Sequence, residues 1–85
     1  MYIKITKKHI KQGRPGEPSK CPIALSLSDK FPYSICSVYT ETARIFPTQG
    51  TELNKYLLSS TAQKFVTDFD THKKVSPATF YLKEI

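Results

Sequence analysis

The sequence has few of the residues that build recognisable catalytic and metal-binding motifs. Its 85 residues include two cysteines, two histidines and three glycines. The four candidate zinc ligands, Cys21, Cys36, His9 and His72, lack the short paired spacings of structural zinc sites. Neither standard glycine-rich phosphate loop is present, since Gly13-Arg14-Pro15-Gly16 has too few glycines. We therefore expect no metal, no cofactor and no enzymatic activity.

Long apolar runs are also missing, and acidic residues are scarce. No stretch approaches the roughly 18 apolar residues of a membrane span, and the first residues lack the apolar region of a signal peptide. A cytoplasmic protein without a membrane partner is the expectation. The length suits one domain over residues 1–85. Thirteen Lys and Arg against seven Asp and Glu give a net charge of +6, which favours acidic partners.

The positive charge is concentrated near the start of the chain. Residues 1–30 hold seven basic and two acidic residues. This asymmetry is typical of a surface that binds phosphates or an acidic partner, although a run of lysines is more often simply a solvated face. The candidate contact residues, called here the N-terminal basic surface, are Lys7, Lys8, Lys11, Arg14 and Lys20.

Hydrophobic periodicity predicts an α+β fold. Alternation and β-branched content indicate strands, and apolar residues at i, i+3, i+4 and i+7 indicate the helix over 61–70. Residues 48–52 are turn-like, and 53–58 favour a strand over a helical turn. We expect a small antiparallel sheet of three to five strands, with two or three short helices packed on one face. The predicted order is strand 2–5, helix 7–12, helix 22–31, strands 34–40, 43–46 and 53–58, helix 61–70 and strand 78–82.

Capping patterns mark where the helices begin. Thr6 is typical of an N-cap, and Gly13 closes the first helix before a loop over 12–20 that is suited to binding. Pro22 fits the first position of the second helix. Ser60 and Gln63 form a capping-box pair ahead of the third helix.

Cys21 is a candidate reactive thiol. A cysteine at a helix N-terminus beside Lys20 lies in an environment that lowers a thiol pKa. The alternatives are that Cys21 only caps the helix, that Cys-Pro is a haem-regulatory dipeptide, or that Cys21 pairs with Cys36, which is otherwise a small core residue.

The remaining polar and aromatic candidates are weaker. His9 and His72, each beside lysines, are predicted to be surface residues that could help hold phosphates. Asp68 and Asp70 point apart on a helix, which argues against joint acid–base chemistry. Phe65, Phe69 and Phe80 follow the apolar stripes and belong in the core. The tyrosines left as candidates for stacking on nucleic-acid bases are Tyr2, Tyr33, Tyr39, Tyr56 and Tyr81.

Several segments together resemble a family of short uncharacterised proteins found in phages and bacteria. The most specific is Cys21-Pro22-Ile23-Ala24-Leu25, and the second is Phe69-Asp70. Members of that family usually carry Gly soon after this Asp, where the present chain has Thr71-His72-Lys73, which leaves the end of the helix open. The resemblance excludes residues 33–58 and implies a small phage-associated accessory protein without catalytic residues. Its other matching positions are Ile5-Thr6, Ile10, Gly13, Pro15-Gly16, Ala62, Phe65-Val66, Pro77 and Phe80.

Two classes of function are left, with a third behind them. The first is a non-enzymatic binding protein, such as a phage or mobile-element inhibitor of a host defence system (anti-CRISPR-like), whose basic surface contacts a host protein or ribonucleoprotein complex. The alternative is a direct DNA- or RNA-binding module. The third is a thiol-based redox protein centred on Cys21.

Overall fold

The computed structural model describes residues 1–47 and 54–85. Within them, five strands form one antiparallel sheet in the order β1-β5-β4-β3-β2, and three helices accompany it. The α+β class, the element order and the strand at 54–58 are therefore confirmed, whereas the predicted turn over 48–52 lies outside the described residues. The elements are β1 Tyr2–Ile5, α1 Lys7–Gln12, α2 Pro22–Lys30, β2 Ser34–Val38, β3 Thr42–Pro47, β4 Asn54–Leu58, α3 Ser60–Asp70 and β5 Ala78–Glu84.

The core lies between the sheet and the helices. Strand residues of alternating parity face inward, as Ile3 and Ile5 do on β1 and Phe80 and Leu82 do on β5. The α3 stripe packs onto them, with the rings of Phe65 and Phe80 at 5.3 Å in an edge-to-face arrangement. The predicted burial of all three stripe phenylalanines is confirmed.

Helix α2 spans the two edges of the sheet, because it contacts both β1 and β2. Its Ser26 hydroxyl donates to the Lys4 carbonyl at 2.8 Å, and the Lys30 ammonium donates to the Tyr2 carbonyl at 3.3 Å. These bonds satisfy carbonyl groups along the edge strand β1, which would otherwise offer a template for pairing with another chain.

Two helix starts follow the predicted caps and one does not. Thr6 and Cys21 are the N-caps of α1 and α2. The N-cap of α3 is Ser59 rather than Ser60, and its hydroxyl accepts from the Ala62 N–H at 3.3 Å. Gln63 therefore does not close a capping box; its amide donates to the Leu58 carbonyl at 3.1 Å.

Helix α3 ends at Asp70, within the predicted range. Two residues later His72 has a φ of 62°, in the left-handed region that favours glycine. This residue lies close to where the resembling family carries glycine. In the described part of the chain, none of the helices has the length and apolar composition to cross a bilayer.

Candidate partner-binding surface

All five residues of the N-terminal basic surface are exposed. Lys7 and Lys11 lie one helical turn apart on the same side of α1, while Lys8 is rotated from Lys7 by about 100°. Arg14 and Lys20 lie in the loop between α1 and α2, where the Arg14 N–H donates to the Lys20 carbonyl at 2.8 Å. The fold thus brings Arg14 and Lys20 together and groups Lys7 with Lys11.

The loop over residues 13–21 is fixed at three points. Besides the Arg14 to Lys20 bond, the Gly16 N–H donates to the Asp70 carboxylate at 3.1 Å, and the Pro18 carbonyl accepts from the Val38 N–H on the edge strand β2 at 2.9 Å. Gly16 has a φ of 78°, which only glycine adopts without strain. Asp70, predicted to solvate α3, therefore holds the loop that carries Arg14 and Lys20.

Gly13 allows α1 to approach α2 and α3 closely. A Cβ at this position would lie 2.9 Å from the Phe69 ring and 2.9 Å from the Pro22 ring. Both neighbours belong to rigid, buried side chains. The absence of a side chain here therefore sets how closely the basic segment packs onto the rest of the fold.

His9 is buried, and the prediction of a surface phosphate-holding histidine is wrong. It is only 7% exposed, because its ring completes the capping box of α1: Nδ1 accepts from the Thr6 N–H at 3.0 Å. Nε2 then carries a hydrogen and donates to the Asp29 carboxylate at 2.7 Å. His9 therefore ties α1 to the end of α2, while His72 is exposed as predicted.

The basic side chains carry almost no local compensation. Within residues 1–47 and 54–85, none of the five forms an ion pair with a carboxylate. Asp29 is engaged by His9 and Asp70 by Gly16, which leaves Glu17 as the acidic residue inside the same segment. The positive field of this surface is therefore directed to solvent.

Cys21 does not have the environment of a reactive thiol. Its side chain is 3% exposed and accepts from the Ala24 N–H at 3.4 Å, so the capping alternative is confirmed. Burial raises the pKa of the Cys21 thiol to about 11, and the helix N–H groups that favour the thiolate offset only part of this rise. Sequence context pointed the other way because Lys20, next along the chain, is exposed to solvent.

A cleft beneath the loop is too small to define a ligand site. Its volume is about 190 Å³, below the roughly 300 Å³ at which pockets for small ligands begin. Cys21, Glu17 and Asp70 line it. Cys21 and Cys36 are both buried free thiols, and among the described residues no three His, Cys, Asp or Glu side chains are placed to hold a metal ion.

The sheet surface that the helices leave uncovered carries a second set of basic and apolar residues. We call it the open sheet face and define it by the outward positions of the five strands. Its charged members within the described strands are all basic, and several of its apolar members are exposed. The charged members are Lys4, Arg44, Lys55 and Lys83; the large apolar members are Tyr2, Ile35, Phe46, Leu57 and Tyr81.

Four of the five candidate tyrosines are exposed, namely Tyr2, Tyr33, Tyr39 and Tyr81, while Tyr56 is half-buried against the core. Sequence reasoning did not group Tyr2 and Tyr81 with Arg44, Lys55 and Lys83. Strand alternation alone could have assigned each residue to an outward position. Their juxtaposition depends on the pairing of β3, β4 and β5, which are distant in sequence.

No protein-family model, curated protein or solved structure matches this chain. The proposals below therefore rest on its own residues and geometry.

Proposed function

We propose that this chain is a non-enzymatic binding protein that contacts an acidic macromolecular partner through the N-terminal basic surface. The observation that carries the proposal is the set of five exposed cations that no carboxylate neutralises in the described residues. Charge of this kind speeds association with an acidic surface and disfavours basic competitors.

The way the basic segment is held supports the same proposal. His9 with Asp29, Asp70 with Gly16, and the close approach at Gly13 fix the helix and the loop to the rest of the fold. A surface that is ordered before binding loses little conformational entropy when a partner docks. These three interactions consume carboxylates and a histidine, not the basic side chains, so the lysines stay available.

In its specific form, the proposal is that the chain acts as a phage or mobile-element inhibitor of a host defence system, in the manner of an anti-CRISPR protein. An inhibitor of this kind acts by occupying a surface and requires shape and charge, not active-site chemistry. The buried, high-pKa thiol of Cys21 agrees with a protein that uses no nucleophile of its own.

The test is a pull-down from bacterial lysate, with and without nuclease, using the chain and two charge-reversal variants. The test variant carries Lys7→Glu with Lys11→Glu. The matched control carries Lys73→Glu with Lys74→Glu, which makes the same change in net charge beyond the end of α3.

A protein partner that survives nuclease, disappears with the Lys7 and Lys11 variant and persists with the control supports the proposal. If every partner disappears on nuclease treatment, the chain is instead a direct nucleic-acid binder. Partners that both variants retain, or that both lose, would contradict a role for this particular surface.

A further inference from the structure

We infer that the open sheet face is a binding site for single-stranded nucleic acid, with aromatic rings for the bases and a basic track for the phosphates. The inference concerns different residues from the N-terminal basic surface and does not depend on the function proposed above. It rests on three observations about the outward residues: their order across the sheet, their charge and their exposure.

The register of the sheet places these residues along one diagonal. On β5, Tyr81 is followed two positions later by Lys83, which lies opposite Leu57 on β4. Two positions before Leu57 on the same face is Lys55, which lies opposite Arg44 on β3. Two positions beyond Arg44 is Phe46.

Along this path a cation-rich centre separates two aromatic ends. Same-face neighbours on one strand are about 6.7 Å apart, and neighbouring strands are about 4.8 Å apart. The track Tyr81, Lys83, Lys55, Arg44, Phe46 therefore covers roughly 20 Å. That is a contiguous path and not a set of scattered surface residues.

Both ends of the track carry more apolar surface than a solvated sheet needs. Tyr81 lies opposite Tyr2, with ring centroids 4.9 Å apart, and Tyr2 is 68% exposed. Phe46 lies opposite Ile35 on the edge strand β2, and Ile35 is 58% exposed. Aromatic rings of this kind are the platforms on which single-stranded bases stack, largely irrespective of sequence.

The charge of the face selects an anion as its partner. Among the outward residues of the described strands there are four cations and no Asp or Glu. Arg44 stacks its guanidinium 5.4 Å from the Tyr39 ring centre, and its Nε–H is buried without a hydrogen-bond partner in the described part of the chain. An apolar protein partner would leave these cations unpaired, whereas a nucleic acid supplies phosphates together with flat apolar bases.

The test is fluorescence anisotropy of a labelled oligothymidylate of about 12 nucleotides, within the range that small single-strand-binding domains occupy. We expect binding whose log affinity falls with log salt at a slope of roughly −2 to −3, as three or four phosphate contacts to a single strand require. A duplex of the same length should bind more weakly because its bases are not free to stack.

Two sets of variants test the residues. Tyr81→Leu should weaken binding about fivefold or more, whereas Tyr81→Phe, which keeps the ring, should not. Lys55→Glu with Lys83→Glu should weaken binding and make the salt slope shallower by about 1.4. The control pair Lys73→Glu with Lys74→Glu should leave the slope unchanged, and circular dichroism should show that all variants remain folded.

Several results would overturn the inference. These are no anisotropy change, equal losses in the Lys55/Lys83 and Lys73/Lys74 variants, and displacement of the oligonucleotide by polyglutamate at equal charge concentration, which would indicate an acidic protein as the partner. Loss of binding only with Lys7→Glu and Lys11→Glu would assign the nucleic acid to the N-terminal basic surface instead.

Discussion

The two faces of the sheet are built from the same strands but differ in what they can do. On the face that the helices cover, residues such as Ile5, Ile45 and Leu82 are fully buried. On the open sheet face, the intervening residues are basic, aromatic or both exposed and apolar. Leu57 and Leu58 are adjacent in sequence, yet Leu58 is 2% exposed and Leu57 is 43% exposed.

This difference separates stability from function in a chain of only 85 residues. A domain of this size has a small margin of stability, and the covered face has to supply most of it. The titratable groups on that side, including His9 and Cys21, serve the packing of α1 and α2. The groups with a free charge lie on the open sheet face and on the N-terminal basic surface.

The largest expected effect comes from exchanging a leucine on each face. Leu58→Ala should lower the free energy of unfolding by about 2–5 kcal/mol because it leaves a cavity in the core. Leu57→Ala removes the same atoms from a half-exposed position and should cost well under half as much. Urea denaturation of both variants measures the difference. Equal losses would contradict the assignment of the two faces.

The Cys21 thiol predicts a loss of stability at alkaline pH. Its pKa is raised from 9.0 to about 11 in the fold, so the folded chain holds this proton above pH 9 while the unfolded chain releases it. Stability should therefore fall as pH rises from about 9 to about 11, by about 2 kcal/mol at pH 10.5.

The matched variant is Cys21→Ser, which keeps a capping side chain that does not titrate. Its stability should fall less between pH 8 and pH 10.5 than that of the unaltered chain, as measured by urea denaturation. Parallel pH profiles for the two proteins, or rapid alkylation of Cys21 near neutral pH, would show that the thiol is not buried in this way.

A smaller effect is expected where the basic segment packs onto the covered side. Gly13→Ala has an acceptable backbone conformation, with φ of −69°, but its Cβ would lie 2.9 Å from Phe69 and Pro22. We expect a loss of about 1–3 kcal/mol from overpacking, seen as a lower thermal midpoint. A stabilised Gly13→Ala variant would indicate that the loop does not approach α3 so closely.

The smallest effect belongs to the exposed side of α3. A hydrogen bond from Lys64 at 2.7 Å lowers the pKa of the Asp68 carboxyl, and partial burial opposes it. Stability from this pair is present above the ordinary carboxyl pKa and declines as pH falls. Lys64→Ala should raise the pKa of Asp68 in an NMR titration more than Lys73→Ala does, since the Lys73 ammonium is 4.0 Å away. An unchanged pKa in Lys64→Ala would contradict the contact.

Local patterns were enough to predict most of the fold. The stripe Ala62, Phe65, Val66 and Phe69 has a period that only a helix satisfies, and Pro22 and Gly13 mark helix boundaries through their own backbone restrictions. The Ser59 cap was misplaced by one residue because two serines are adjacent and each can accept a first-turn hydrogen bond.

The residues that depend on distant partners could not be predicted in the same way. His9 looked exposed because its neighbours are lysines, and its partner Asp29 is twenty positions away. The open sheet face required the register of three strands to be known before Lys83, Lys55 and Arg44 could be placed side by side.

An NMR titration of the isotope-labelled chain with the same oligothymidylate tests the contrast between the two faces most directly. Backbone amide shifts are predicted to concentrate on the strands that carry the track, around Arg44, Lys55 and Tyr81, while the amides of α2 stay close to their positions in the free protein. Shifts confined to α1 and the loop over residues 13–21, or no shifts at all, would contradict the assignment of binding to the open sheet face.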